Sequence, residues 1–378
     1  MTSCVLCHKP FPMLVADPRC PCGGVPALPA LAPFDPRSVP ERERSRGVFR
    51  FASALRLPPT GHRPSTLGEA TVPVEPLDLA GGPAGLLVLR EDLEPGGSVH
   101  DVGAALLVGT MTRGSGRSLL VDGASSHALA VARYASRAGL GVHALTPREA
   151  GEGRKCVLRG RGARVSELDE DDPCAERTVR RMVESGSIDT RNASQVIAVL
   201  GGAAVAFCIV EQLGGAPGAV VCPAGHGALL AGLGAGFSAT ARAGCGNVPR
   251  LFGVQSSRCA PLATAHARGA TRVDVPAPVR GPGLAGEMLV GTPLRDVEAL
   301  RAAEESGGAI VSVDDLALER AVRVLWRDGL KVEPWAALPV AWLMSVEARE
   351  SLRGQSPTVV VLAAHGIRDG VPLADRFP

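Results

Sequence analysis

Seven short apolar runs, at residues 84–88, 118–121, 141–145, 219–222, 250–254, 309–312 and 357–362, read as strands. Between them lie stretches with helical spacing of apolar residues, at 100–112, 126–138, 202–213, 226–237, 294–305, 314–328 and 336–350. Strand–helix alternation over most of a chain leaves few ways to bury every apolar face. It favours α/β layers built on mostly parallel strands. In such folds, sites gather at the carboxyl ends of strands and the amino ends of helices.

At 378 residues there is room for two domains and a small appendage. Hydrophobic residues make up 46% and aromatic residues only 3%, so the cores must rest on Ala, Val and Leu. The 46 glycines and 31 prolines point to tight turns and backbone-lined sites. A formal charge of +2 gives no case for a nucleic-acid partner or an anionic membrane. Basic residues are almost all arginine; the lysines are Lys9, Lys155 and Lys331. Met1 to Cys22 holds four cysteines and lacks the apolar segment of a secretory signal. The longest apolar run, Val196 to Val210, is too short to span a bilayer and reads as a buried strand-to-helix passage. Ten cysteines without an export signal suit a reducing compartment, with thiols or metal, and so a cytoplasmic protein. A homodimer, the commonest soluble assembly, is the expected state.

Four of those cysteines open the chain as Cys4-x-x-Cys7 and Cys20-Pro-Cys22-Gly23-Gly24. Paired cysteines on two knuckles suit a tetrahedral structural zinc, which holds together a segment too small for its own core. His8 reads as a loop residue. Residues 23–48 are rich in proline and arginine and read as an extended linker. Asp169 to Asp172 reads as a solvated acidic turn.

The segment Leu93-Glu94-Pro95-Gly96-Gly97-Ser98-Val99-His100-Asp101-Val102-Gly103 resembles the Asn-Pro-Thr-Gly-Ser-Phe-Lys-Asp-Arg-Gly motif of threonine synthase-like enzymes. Those enzymes belong to the fold-type II family that uses pyridoxal phosphate (PLP). Further segments are similar in the same order: Gly47 to Phe51, Ser65 to Val74, Asp122 to His127 with Ala132 to Leu140, and Lys155 to Val165. Gly201 to Leu213, Val220 to Ala228, Leu251 to Gln255, Gly329 to Ala337 and Val359 to Asp369 continue the series. The Cys-Pro-Cys-Gly-Gly form looks like the ribbon at the front of many such proteins. The resemblance implies an α/β, two-domain, tryptophan synthase β-like fold with an N-terminal zinc ribbon. It divides the chain into a ribbon (1–30), a linker and extension (31–78), a large α/β domain (79–104 and 198–378) and a small α/β domain (105–197).

Departures from the pattern cluster where the cofactor would sit. His100 stands where the family's lysine forms a Schiff base with PLP, and imidazole cannot form that aldimine. Ser126 replaces an asparagine, Ala228 a glycine of the phosphate-cradling loop, and Ala363 a hydroxyl-bearing residue. PLP is therefore not an expected cofactor, whereas a structural zinc at Cys4, Cys7, Cys20 and Cys22 is. Four of the eight histidines fall in cofactor-facing motifs: His100, His127, His226 and His365. His100 should begin a helix, where the dipole disfavours the protonated ring and leaves a competent neutral base. Ser125 and Ser126 open a helix on the loop that receives the substrate carboxylate in the family, though simple capping is their alternative role. Gly225, His226 and Gly227 open another helix and could hold an anion.

The candidate catalytic group is thus His100. The candidate substrate-binding residues are Ser125, Ser126, His127, Gly225, His226, Gly227 and His365, around a small molecule in an interdomain cleft. Three functions compete. One is a PLP-independent enzyme using His100 for proton transfer on a small anionic or amino-acid-derived metabolite, by elimination, isomerisation or cyclisation, with secondary metabolism a natural setting. The second is a silent paralogue that binds a ligand or partner. The third is a lyase that holds PLP noncovalently.

Overall fold

The computed structural model describes residues 1–59, 64–111, 117–123, 125–148, 150–168, 175–191, 194–279 and 283–366. The acidic turn at 169–172, Ala124, and the end of the Val359–Asp369 motif lie outside them. In chain order the elements are β1 (Thr2–Ser3), β2 (Pro10–Phe11), β3 (Val74–Pro76), β4 (Leu86–Leu89), α1 (His100–Gly109), β5 (Ser118–Asp122), α2 (Ser126–Ala138) and β6 (Gly141–Thr146). There follow α3 (Glu152–Gly160), β7 (Arg164–Glu167), α4 (Ala175–Glu184), β8 (Ile188–Asp189), α5 (Val196–Leu213), β9 (Ala219–Pro223) and α6 (Ala228–Arg242). The chain closes with β10 (Arg250–Ser256), α7 (Pro261–Ala267), α8 (Asp296–Glu305), β11 (Ala309–Val313), α9 (Asp315–Arg327), α10 (Leu338–Leu343), α11 (Val346–Ser351) and β12 (Thr358–Val361).

Two sheets carry the molecule. The larger runs β11-β10-β9-β12-β4-β3, parallel except for β3, and the smaller runs β7-β6-β5-β8, all parallel. Strands such as Ala219–Pro223 are buried at every residue, as expected of a parallel sheet covered on both faces. In register, Thr358 sits between Leu86 and Ala219, and Arg250 continues the row beside Ala219. One apolar core spans both sheets and the helices between them, while Leu120, Leu145 and Val179 form a small second cluster on the smaller sheet.

The helices between the sheets are held unusually close. A Cβ added at Gly103 of α1 would come within 2.4 Å of the Ala198 carbonyl of α5. Gly202 of α5 and Gly232 of α6 face each other with equally little room, since a Cβ on Gly232 would meet the Gly202 Cα at 2.7 Å. Helix α5 corrects the sequence expectation for Val196 to Val210: it is helical from Val196, with 18 residues and no strand portion. Its apolar residues face all directions because α1 and α6 enclose it, and that erases the periodicity separating strand from helix. By length and composition α5 could cross a membrane, but it is 78% buried inside this structure.

Two other differences have local causes. The stretch 336–350 is not one helix: the Ser345 hydroxyl accepts from the Ala348 amide at 3.1 Å and starts a new helix there. The stretch 23–48 is not wholly extended, since 3-10 turns occupy Pro36–Ser38 and Glu41–Phe51. Its Phe34 packs against Phe51 and Phe207, with ring centroids 6.0 and 5.0 Å away.

Candidate active site

The carboxyl ends of β5 and β9 and the amino ends of α1, α2 and α6 converge on one cavity of about 150 Å³. A single water needs about 10–15 Å³ on the same footing, so the space suits a small organic molecule. Asp122, Ser125, His100, His127, Gly225, His226, Gly227, Glu287, Met288 and Trp335 contribute to its wall.

Three imidazoles meet there. His100 is the first residue of α1, and its ring lies 5.8 Å from that of His127 in an edge-on arrangement and 6.5 Å from that of Trp335. The Nε2 of His127 is 2.9 Å from the Thr190 carbonyl, to which only an N–H can donate. In the neutral ring this leaves Nδ1 as an acceptor. The Nδ1 of His226 is buried without a hydrogen-bond partner among the described residues, as is Oδ1 of Asp122. Burial pushes His226 down to about 4, with the charges of His127 and Arg295 adding to the fall and Asp122 opposing it. His226 is therefore neutral at physiological pH.

Helix α2 begins at Ser125, whose hydroxyl accepts from the Ala128 amide at 3.1 Å. The next amide and hydroxyl, both of Ser126, donate to the carboxylate of Glu287, the amide at 2.8 Å. The anion-attracting end of α2 is thus filled by a side chain of the same molecule. Arg154 holds Glu287 from the other side at 3.2 Å and reaches Glu333 at 2.8 Å, and Glu333 accepts the indole N–H of Trp335 at 2.5 Å. This relay fixes the Trp335 face beside His100.

A family model described as pyridoxal-phosphate dependent enzyme matches residues 65–364. The chain belongs to the pyridoxal-phosphate dependent enzyme family. Its similarity to the threonine synthase of Synechocystis sp. is 26% identity over 376 residues, covering 97% of this chain and 92% of that protein. The threonine synthase of Halalkalibacterium halodurans is 26% identical over 318 residues, covering 83% and 87%. Among solved structures, maize serine racemase superposes with a TM-score of 0.67 at 18% identity, covering 81% of this chain and 92% of that one. An L-serine ammonia-lyase from the fungus Rhizomucor miehei gives 0.66 at 20% identity, covering 78% and 93%.

The fold is therefore that of the pyridoxal-phosphate dependent enzymes, and the cavity can be tested against their cofactor. An anionic headgroup has a seat. Helix α6 starts after Gly227, which adopts φ 83° and supplies no side-chain cap, and its first residues line the cavity. A primary amine does not reach that space. Lys155 is buried on α3, with Nζ bonded to the Arg148 carbonyl at 2.8 Å and to Glu167 at 2.9 Å. Lys9 immediately precedes β2, Lys331 precedes Glu333, and neither lines the cavity. Met288 also crowds the cradle, because a Cβ on Gly225 would lie 2.9 Å from its sulfur. The residues fit the anionic part of the cofactor and not its covalent attachment.

At the front, the sulfurs of Cys4, Cys7, Cys20 and Cys22 all lie within 4.8 Å of one another. Cys4 to Cys22 is 3.4 Å and Cys7 to Cys20 is 3.6 Å. Four thiolates at about 2.3 Å from one zinc would stand about 3.8 Å apart, so this donor set fits a tetrahedral zinc. Arg295, wholly buried, donates to the Pro26 carbonyl of the ribbon at 2.5 Å, while its own amide donates to the His226 carbonyl at 3.0 Å. The ribbon is thereby tied to the cavity wall.

Of the residues singled out in the sequence, His100, Ser125, His127, Gly225, His226 and Gly227 line the cavity. Ser126 lies just behind it, 1% exposed and bonded to Glu287. His365 is not in the wall; its amide donates to Gly97 at 2.9 Å and it bridges to Val332. Sequence reasoning missed Glu287, Met288 and Arg154. Trp335 sat unremarked within a quoted motif. No local pattern marks Glu287, which reaches α2 across 161 residues of sequence.

Proposed function

We propose that this family member works without a Schiff base, using His100 as the proton-transfer group on a small amino-acid-derived metabolite in the cavity. One observation carries the proposal: the wall holds three imidazoles and, among the described residues, no amine. PLP supplies electron-sink chemistry in relatives that bind it, and no step here depends on it. His100 takes a proton from carbon and returns it to a leaving group or to another carbon, giving elimination, isomerisation or cyclisation. His127, anchored to Thr190, and neutral His226 flank the reacting space and can accept or donate hydrogen bonds there. The filled end of α2 favours a second reading, a silent binding protein, because an incoming carboxylate finds Glu287 already in place.

Protein from PLP-replete medium should show no visible aldimine band that borohydride reduces. Incubated in heavy water with a panel of amino-acid-derived metabolites, it should incorporate deuterium into one of them, and His100→Ala should slow that exchange by about 10²–10⁴-fold. A borohydride-sensitive band, or full exchange in His100→Ala, overturns the proposal. Binding without exchange or turnover anywhere supports the silent protein.

A further inference from the structure

We infer that the cavity selects a small organic ammonium ion that lacks a free carboxylate, and that Asp122 is the counter-charge for its head. This rests on the proposal that the cavity is the functional site, and it narrows the ligand class. Three features of the wall agree. Charged side chains lining it are Asp122 and Glu287, and among the described residues no arginine or lysine lines it. Arg154, which pairs with Glu287, is shared with Glu333. One buried carboxylate oxygen, Oδ1 of Asp122, has no partner among the described residues, and in its neutral ring His127 is left with Nδ1 as an acceptor. A buried polar atom left unpaired is costly, so a ligand with several N–H donors answers what the wall lacks. An ammonium group carries three such donors.

The flanks of the cavity are suited to the same charge. Trp335 places an indole in the wall, and an aromatic ring attracts a cation to its face. Met288 adds a polarizable sulfur. At the amino end of α2 a substrate carboxylate would have to displace Glu287 from two donors of Ser126. An amine without a carboxylate meets no such competitor and gains a second carboxylate at the rim.

Three four-carbon probes separate the possibilities: n-butylamine, butyrate and 2-aminobutyrate, each titrated into the full chain supplied with zinc and followed by ligand-observed NMR. The expected order places n-butylamine at least about tenfold tighter than either of the others, a difference of about 1.4 kcal/mol. Asp122→Asn, which keeps the shape and removes the charge, should weaken n-butylamine at least tenfold. Should Asp122→Asn fail to fold, Glu287→Gln is the second variant, and it should weaken n-butylamine as well. Equal or tighter binding of butyrate or 2-aminobutyrate, or unchanged n-butylamine affinity in a folded charge-removing variant, overturns the inference. His100→Ala should keep n-butylamine binding. Loss of proton exchange with binding intact therefore bears on the proposed reaction, and loss of the amine preference bears on the ligand class alone.

Discussion

Replacing Glu91 with glutamine should flatten the pH dependence of stability between neutral and mildly alkaline pH. Glu91 is fully buried on the loop that leads into α1. Burial above all, then the charges of Asp101 and Asp92, pushes its carboxyl up to about 8. Glu94, buried beside it, is pushed up as well, by burial and then by Glu91. Asp92 and Asp101 are themselves paired, with Arg90 at 2.8 Å and Arg133 at 2.6 Å. A carboxyl whose folded value exceeds its unfolded one holds its proton longer in the native state. Its contribution is complete below the unfolded value and is lost as pH rises towards the folded one, by at most about 1.4 kcal/mol per pH unit. His226 acts in the opposite direction, since its lowered value makes stability rise with pH between about 4 and 6.5. The two cancel in mild acid, so the test window is pH 6.5 to 8. There Glu91 alone should cost the wild type about 2 kcal/mol. Urea unfolding at several pH values across the window reads the slope directly. Glu91→Gln should lose most of it, because the titrating group is gone and Glu94 loses its repelling neighbour. Parallel slopes in the two proteins would refute the argument that this carboxyl is protonated in the fold.

Zinc should copurify at about one per chain, and stripping it with a chelator, or Cys7→Ser, should lower the melting temperature; the Pro26–Arg295–His226 chain of contacts means the cavity-facing His226 ring resonances should shift too, read by NMR. Arg154→Ala leaves Glu287 and Glu333 without their shared cation and should cost about 1–3 kcal/mol in urea unfolding, with Arg154→Lys a poor rescue because a point charge cannot fork to two carboxylates. Gly103→Ala should push α1 away from the Ala198 carbonyl, destabilising the fold by about 1–3 kcal/mol. It should also lower any His100-dependent exchange rate by up to about 10²-fold, measured on the folded protein, since the group one helical turn away is displaced.

The layered architecture was legible because strands such as Ser118–Asp122 and Ala219–Pro223 are short apolar runs alternating with helical stretches. Helix α2 matches its expected span because Ser125 caps one end and Gly139, at φ 71°, closes the other. The edge of the smaller sheet was harder to see. The strand Arg164–Glu167 is polar and half-exposed, and Ile188–Asp189 is two residues long, so neither has the apolar run that marks a strand. The start of α5 was lost for the opposite reason, an excess of apolar residues with no polar face. In the site, residues adjacent in motifs were readable: His100, Ser125, His127 and Gly225 each sit at a strand end or helix start that the alternation already places. Glu287 was not, because its role comes from a tertiary encounter with Ser126 and from no pattern in its neighbours.

Fold and chemistry are carried here by different residues, and the distinction bears on how far family membership reaches. The match to maize serine racemase, a TM-score of 0.67 at 18% identity, needs only the apolar alternation and the small residues that let helices approach. Those features do not include the cavity side chains, so likeness of fold does not fix the reaction. The two levels meet at α1. Its packing on α5 through Gly103 fixes the height of the helix in the core, and its first residue is His100. The imidazole at that position is thereby held at the cavity with the precision of a close-packed interior. In the reaction proposed above that side chain sets the chemistry, and a carboxylate from a distant segment, Glu287, adds negative charge to the same wall.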